Sequence, residues 1–382
     1  MKILVAHTRE LCYYSGGFFA DRLSDALEMA GAEVTRIALG ESDDFSRLEQ
    51  CRAGEYDAIV DFNSRLPYLK DDASGAFWLD GLKAPFFDVI LDHPLYHHPA
   101  LVFPLKRCYA VAIDRAHAAY MRKYYPALSG VFYLPMGGTQ AISRIPRKER
   151  RSEIFFSGTY LPREKIEKEI ASMSQQIQSL IDEMRDFDPM TETLEERLHR
   201  QRPQLSDEDF LLTMNALFPL DRLARYRMRE HVIFTLARLG VSLALSGEGW
   251  EETGIADLPN VCLLPPTPMA VSIEQMQQYR TVLDITPGFF CGLHDRASSA
   301  LANEALLVTC MNPQAEPGLS DGRELLYFDW REPEEMATRL QNLGGEQQNA
   351  IAGEGRRFWE RSLTWESRAR QLIAIIENVR EK

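Results

Sequence analysis

Two short stretches hold polar side chains in a spacing that can do chemistry. His294-Asp295-Arg296 falls at the expected start of a helix, directly after a loop (Thr286 to Leu293) that contains Gly288. A guanidinium at that position offers a bidentate fork for phosphate oxygens, and the first N–H groups of a helix point at the same anion. Asp295 also has a plain structural use as an N-cap. The loop before Arg296 is rich in Gly and Phe rather than acidic partners, so Arg296 and His294 read as ligands of an anionic substrate. The second stretch is Asp92-His93, which closes an apolar run before Pro94. A carboxylate and an imidazole there suit a general base, or a group that stabilises positive charge at a reacting carbon. The structural alternative is that Asp92 caps the turn and His93 packs beneath it. His97 and His98 stand at i+4 and i+5 from His93. Zinc needs three or four convergent ligands, the nearby prolines disfavour a regular helix through all three, and no metal ligand is assigned.

The element that must position Arg296 is the stretch 281–312. It reads as an apolar strand interrupted only by Asp284 (Val282 to Ile285), the loop, a small-residue helix (Asp295 to Glu304) and a second apolar run (Ala305 to Cys310). Such a unit puts a helix N-terminus at the carboxyl end of a parallel strand, where α/β folds bind phosphate. The N-terminal half alternates in the same way. Ile3 to Ala6 is continuously apolar until His7, Ser15 to Gly31 has helical spacing, and Val34 to Ile37, Tyr56 to Phe62, Phe86 to Leu91, Tyr109 to Ile113 and Val131 to Leu134 are further strands. The first connection, Tyr13-Tyr14-Ser15-Gly16-Gly17, lacks the spaced glycines of a dinucleotide fingerprint. His7, Gly16 and Gly17 nevertheless stand at a strand-to-loop handover that can touch a substrate, with a hydrogen-bonded strand-end histidine as the alternative.

The basic segment Ser143 to Ser152 (SRIPRKERRS) contrasts with its surroundings and reads as an interdomain linker. Glu153 to Ser157 opens a second α/β series, ending in Gly158-Thr159-Tyr160. Val241 to Leu245 returns as a strand before Ser246-Gly247-Glu248-Gly249-Trp250, where Glu248 could bind and Trp250 stack on a nucleoside, unless Trp250 marks an exposed helix start. Between them, residues 163–239 form a helical insertion, a lid, an acceptor-recognition surface or a dimer contact. Asn349 to Ile376 is a long terminal helix or a pair of helices. The expected organisation is α/β throughout: residues 1–145 an N-terminal Rossmann-like acceptor domain, 152–360 a C-terminal Rossmann-like donor domain, and 361–382 a C-terminal helix packing back towards the first.

Composition excludes several classes. A formal net charge of −13 opposes non-specific affinity for nucleic acid or anionic membrane. No apolar run is long enough to span a bilayer, and MKILVAHT lacks the features of a signal peptide. Six scattered cysteines (Cys12, Cys51, Cys108, Cys262, Cys291 and Cys310) with no CxxC pair suggest reduced thiols and a cytoplasmic location. The adjacent pairs Asp43-Asp44 and Asp71-Asp72 lack the intervening residue of a DxD metal motif and read as solvated loop charges.

The order of motifs from 153 to 376 (a strand with SGTY, a strand with SGEGW, an apolar strand, a TPGF loop, HDRASSALANEALLVT and LTWESRARQL) resembles the GT-B glycosyltransferases, and among them the CgeB-type, spore-maturation-like families. The resemblance implies two Rossmann-like domains facing across a cleft, with a nucleotide-sugar donor held by the C-terminal one. By position it implies that Arg296 pairs with the donor diphosphate, that the turn Gly158-Thr159 approaches the phosphates, and that Glu248 lies near the nucleoside. The family helix reads close to R-x-F-E-A-M-A-C-G; here Ser298 replaces the aromatic, Ser299 the ribose-holding glutamate and Glu304 the glycine. That leaves Ser299, or Glu304 from one turn further on, to hold the ribose, unless Glu304 simply sits solvated at the helix end.

The expected function is metal-independent transfer of a sugar from a UDP-, dTDP- or GDP-sugar to a glycan, protein or small molecule, with Asp92 and His93 catalytic, no cofactor, and a possible homo-oligomer formed through the helical insertion. Two alternatives stand beside it. A sugar-nucleotide epimerase on the same scaffold needs a second carboxylate opposite Asp92, and a non-catalytic GT-B-like binding protein is suggested by Ser299 in place of the glutamate.

Overall fold

The computed structural model describes residues 1–8, 15–40, 44–52, 54–63, 66–71, 74–310, 312 and 316–381. Cys12, Tyr13, Tyr14, Asp43 and Asp72, named above, lie outside the described residues. The chain forms two compact units, Met1–Gly137 with Leu363–Lys382, and Gly138–Ser362.

The first unit holds a parallel sheet of six strands: β1 (Lys2–Thr8), β2 (Glu33–Leu39), β3 (Ala58–Phe62), β4 (Phe86–Ile90), β5 (Cys108–Ala112) and β6 (Gly130–Tyr133), in the order β2-β1-β3-β4-β5-β6. Ile3, Leu4, Val5 and Ala6 are buried on both faces of β1, as a continuous apolar run in a central parallel strand requires. The helix Ser15–Met29 packs on β1 and β2 and also takes the C-terminal helix Trp365–Arg380, with the Phe19 and Trp365 rings 6.3 Å apart. Arg380 pairs with Asp57 at 2.7 Å at the far end of that helix.

The second unit repeats the plan with β7 (Arg151–Ser157), β8 (Leu243–Ser246), β9 (Val261–Leu264), β10 (Tyr279–Asp284), β11 (Leu306–Thr309) and β12 (Leu326–Tyr327), in the order β12-β11-β10-β7-β8-β9. The chain leaves β7 to build β8 and β9 on one side and returns to build β10 to β12 on the other. The topological switch point is therefore the β7–β10 pair, the place at the carboxyl ends of the strands where open α/β sheets bind ligands.

The stretch 163–239 holds five helices, Arg163–Ala171, Gln175–Glu183, Leu194–Gln201, Asp207–Ala216 and Phe218–Arg238. The last is not an exposed part of an insertion. Met228, Val232, Ile233, Leu236 and Ala237 on it join Phe156, Leu243, Leu245, Leu283 and Val308 in one core, so this helix covers the sheet. Pro219 sits in its first turn, where a missing N–H costs nothing. The segment 143–152 is not a free-standing linker either: the first unit ends at Gly137, and residues 138–150 pack within the second. Arg147 and Arg150 donate to the backbone carbonyls of Asn303 and Glu304, which draws the basic segment onto the end of the helix Asp295–Ala302. The C-terminal region is two helices, Gly345–Ser362 and Trp365–Arg380, broken where Thr364 caps the second.

Candidate active site

In the second unit the switch point gathers charge. Asp284 ends β10 and is fully buried, and its carboxylate accepts from the hydroxyls of Thr286 (2.8 Å) and Thr309 (3.1 Å) and from Arg296 Nη1 (2.9 Å). Arg296 therefore has an acidic partner. The loop before it offers none, but the strand does, through the one polar residue that interrupts its apolar run. The Arg296 guanidinium lies 5.3 Å from the centroid of the Phe156 ring, and Arg229 faces the same ring at 5.8 Å.

Arg229 is the more unusual cation. It is buried, gives Nη1 to the carbonyl of Thr159 at 2.7 Å, leaves Nε without a partner, and forms no ion pair with a carboxylate among the described residues. Burial first, then the guanidiniums of Arg296 and Arg225, lower its pKa from the ordinary arginine value. An arginine keeps its proton at neutral pH even so. Such a side chain is stabilised when an anion arrives. One helical turn away, Arg225 bonds Asp221 at 3.3 Å, and a side chain on Gly288 would come within 4 Å of both. Gly288 has φ +94°, so the loop after β10 turns beside these two residues in a conformation that favours glycine. Three guanidiniums thus meet two carboxylates at the carboxyl ends of β7 and β10, an arrangement that can hold a diphosphate.

The turns after β7 and β8 interlock beside this cluster. Gly158 N donates to Ser246 O and Tyr160 N to Glu248 O. A Cβ on Gly247 would stand 2.4 Å from Gly158 O, and one on Gly249 would stand 2.1 Å from Tyr160 O. Only glycine permits that approach, which keeps Gly158 and Thr159 next to Arg229. Glu248 has an exposed side chain on the neighbouring turn. Trp250 does not present its ring for stacking on a nucleoside; it opens the short helix Trp250–Glu252, whose Glu251 and Glu252 are exposed. It is buried against Phe156 and Tyr160, and its Nε1 donates to Gly158 O at 2.8 Å.

The helix Asp295–Ala302 begins differently from the sequence expectation. His294, not Asp295, is the N-cap, with Nδ1 3.2 Å from Arg296 N and 3.0 Å from Asp295 Oδ1. Nδ1 accepts from the N–H when it carries no proton and donates to the carboxylate when it carries one, one at a time. Burial alone raises the Asp295 pKa, but His294, Arg296 and a backbone N–H outweigh it and hold the carboxyl below its usual range. Ser299 is engaged elsewhere: it is buried and its Oγ accepts from Thr139 N at 3.1 Å. Glu304 stands past the helix end with φ +53° and an exposed side chain. The left-handed backbone explains why this register position suits glycine.

In the first unit, His7 is the penultimate residue of β1, at the switch between β1 and β3, and a Cβ on Gly17 would stand 3.0 Å from His7 Nε2. Gly16 is buried in the first turn of the following helix. Asp92 and His93 follow β4. His93, rather than Asp92, caps the next turn, with Nδ1 accepting from Leu95 N at 3.1 Å, and its ring packs against His117 and Tyr120 at 4.8 and 5.1 Å. Asp92 stays partly open to solvent, with its carboxylate 4.0 Å from Nε2 of the half-buried His97. Burial lowers the His97 pKa; Asp92 pulls it back, and His93 and His117 push it further down. His98 instead contacts Tyr125 OH at 3.1 Å, so the three histidines of the motif do not converge. Among the described residues no group of three or more His, Cys, Asp or Glu is placed to hold a metal.

Sequence reasoning missed Asp221, Arg225 and Arg229. Their spacing of four residues puts them on one face of a helix, which normally signals solvated ion pairs. The signal that reverses this is the apolar density of the same helix, Leu220, Leu223, Ala224, Met228 and Val232, which buries it.

Residues 227–374 match the family model described as glycosyl transferase-like. No curated protein sequence matches the chain. The whole fold is similar to that of an alpha-glucosyltransferase solved with UDP and a 13-mer DNA containing an HMU base, at 12% identity, a TM-score of 0.65 and 99% coverage of both chains. It is also similar to T4 phage BGT solved with its UDP-glucose substrate, at 10% identity and a TM-score of 0.57, covering 98% of this chain and 99% of that one. Sucrose-phosphate synthase from Thermosynechococcus elongatus aligns at 10% identity with a TM-score of 0.56 over 99% of each chain. The fold is that of the GT-B glycosyltransferases. The matched segment runs from the helix Phe218–Arg238 to the C-terminal helix Trp365–Arg380.

Proposed function

We propose that the chain transfers a sugar from a nucleoside diphosphate sugar to an acceptor hydroxyl. The observation that carries this is the buried Arg229, unpaired with any carboxylate among the described residues and flanked by Arg225 and Arg296 at the switch point. As the bond from the anomeric carbon to the diphosphate breaks, negative charge grows on the leaving oxygen. Preorganised guanidiniums stabilise that charge without a bound metal. UDP is the nucleotide of first choice, because solved structures with this fold hold UDP or UDP-glucose; dTDP and GDP are the alternatives. Gly158, Thr159, Gly288 and His294 border the diphosphate, with Glu248 nearer the nucleoside. Since Ser299 is engaged by Thr139 and Glu304 lies past the opposite end of the helix, Glu248 is the better ribose ligand.

Asp92 accepts the proton of the acceptor hydroxyl as that oxygen bonds to the anomeric carbon. His93, fixed as a cap, shapes the turn that presents it. The acceptor is a glycan, protein or small molecule, consistent with a net charge of −13 that opposes general nucleic-acid binding. The CgeB-type resemblance of residues 153–376 agrees with this reading. The test is incubation with UDP-, dTDP- and GDP-sugars in EDTA, following nucleotide release and the sugar product. Release of one nucleotide with free or transferred sugar supports it, whereas an epimerised donor, or no release with any donor, contradicts it.

A further inference from the structure

The basic segment that the sequence marks as a linker, and that the donor site does not use, builds a second cationic site. Arg147 and Arg150 cap the carbonyls that end the helix Asp295–Ala302, and Arg356 reaches Ala302 O from the helix Gly345–Ser362. Arg280 crosses back to the carbonyls of Arg147 and Lys148. One or two cations suffice to complement a helix C-terminus; here four arginines collect and Arg144 stands beside them. Among the described residues, none of Arg144, Arg147, Arg150 and Arg280 forms an ion pair with a carboxylate, while Arg356 pairs with Glu360 at 2.8 Å, in a chain whose net charge is −13. Arg147 keeps a buried Nη2 with no hydrogen-bond partner.

Beside them lies a cavity of about 490 Å³. Arg144, Arg150 and Arg356 line it with Glu304, Glu360 and Gln277. Gln277 is 97% buried, and its Oε1 has no partner. The volume exceeds what a bare phosphate fills. Guanidiniums bind a phosphoryl group, and an amide with two carboxylates offers the donors and acceptors that pair with hydroxyl groups.

We propose that this cavity binds a phosphorylated sugar, its phosphate on Arg144, Arg150 and Arg356 and its hydroxyls on Gln277, Glu304 and Glu360. The site stands at the end of the helix opposite Arg296, and the proposal does not depend on the glycosyltransferase reading. The test is calorimetric titration of the full chain with glucose 6-phosphate, inorganic phosphate and glucose, repeated on Arg144→Glu, Arg356→Ala and Arg225→Ala. Glucose 6-phosphate binds the wild type more tightly than phosphate, glucose does not bind, and affinity falls at least about tenfold in the first two variants and not in Arg225→Ala. Equal affinity for phosphate and glucose 6-phosphate overturns the sugar component. Absence of binding at tens of millimolar, or loss in Arg225→Ala with retention in Arg144→Glu, overturns the site. Arg144 is exposed and, among the described residues, its side chain bonds only Gln140, so its variant keeps the test valid if Arg356→Ala unfolds.

Discussion

Arg296 Nη1 donates to Asp284 Oδ1 at 2.9 Å, with the carboxylate fully buried and the arginine side chain 11% exposed. This pair joins the end of β10 to the first turn of the helix Asp295–Ala302, so one interaction fixes both the strand end and the cation proposed to meet the diphosphate. Removing either member leaves the other charged and desolvated. Asp284→Asn therefore lowers stability by about 3–5 kcal/mol in urea unfolding. The double variant Asp284→Asn, Arg296→Gln loses less than the sum of the single losses. Additive losses would show that the two side chains are not coupled.

Arg229→Met behaves in the opposite way. The variant removes a buried cation that lacks a carboxylate partner and replaces it with an apolar side chain of similar length. Its stability without ligand stays within about 1 kcal/mol of the wild type, the lost bond to Thr159 O offsetting the relieved desolvation. A large destabilisation would mean that Arg229 serves the fold rather than a ligand.

Asp295 carries a pH signature. Its folded pKa lies below the unfolded carboxylate value of about 3.9, so its contribution is complete above that value and is lost as pH falls through the lower folded value. At pH 6 Asp295→Asn is less stable than the wild type by about 1 kcal/mol, the scale of a carboxylate at a helix start. The gap closes as the pH is lowered through the acid range. A gap independent of pH would assign the effect to packing.

Gly249→Ala tests the interlocked turns. The new Cβ meets Tyr160 O at 2.1 Å, and φ is +88°. The expected loss is about 2–4 kcal/mol, together with weaker nucleotide binding. Near-native stability would show that these turns can separate.

Asp92→Asn separates chemistry from donor binding. Turnover falls by about 10²–10⁴-fold while nucleotide affinity stays at the wild-type level. Loss of affinity, or undiminished turnover, removes Asp92 from the role of base.

The sequence made the architecture readable because parallel strands buried on both faces leave apolar runs, continuous as in Ile3 to Ala6 or broken by one polar residue as in Val282 to Ile285, and the loops between them carry glycine. Arg296 was legible by its place after a strand and loop. Its partner Asp284 was visible as a polar interruption, but its partnership depends on where Arg296 folds back. His294 took the cap expected of Asp295 because two adjacent polar residues compete for one geometry, and spacing does not rank them. Arg229 was hidden by its surroundings: a charged residue within a Glu- and Arg-rich run reads as solvated until the packing of Met228, Val232 and Leu236 shows that its helix covers the sheet.

The most direct test is calorimetric titration of UDP, GDP and dTDP into the wild type and Arg229→Met, both in EDTA. The wild type binds one of them, UDP first, and the variant binds it at least about tenfold more weakly, or about 1.4 kcal/mol. A wild type that binds none of the three, or a variant that binds as tightly as the wild type, contradicts the assignment of the arginine cluster to a diphosphate.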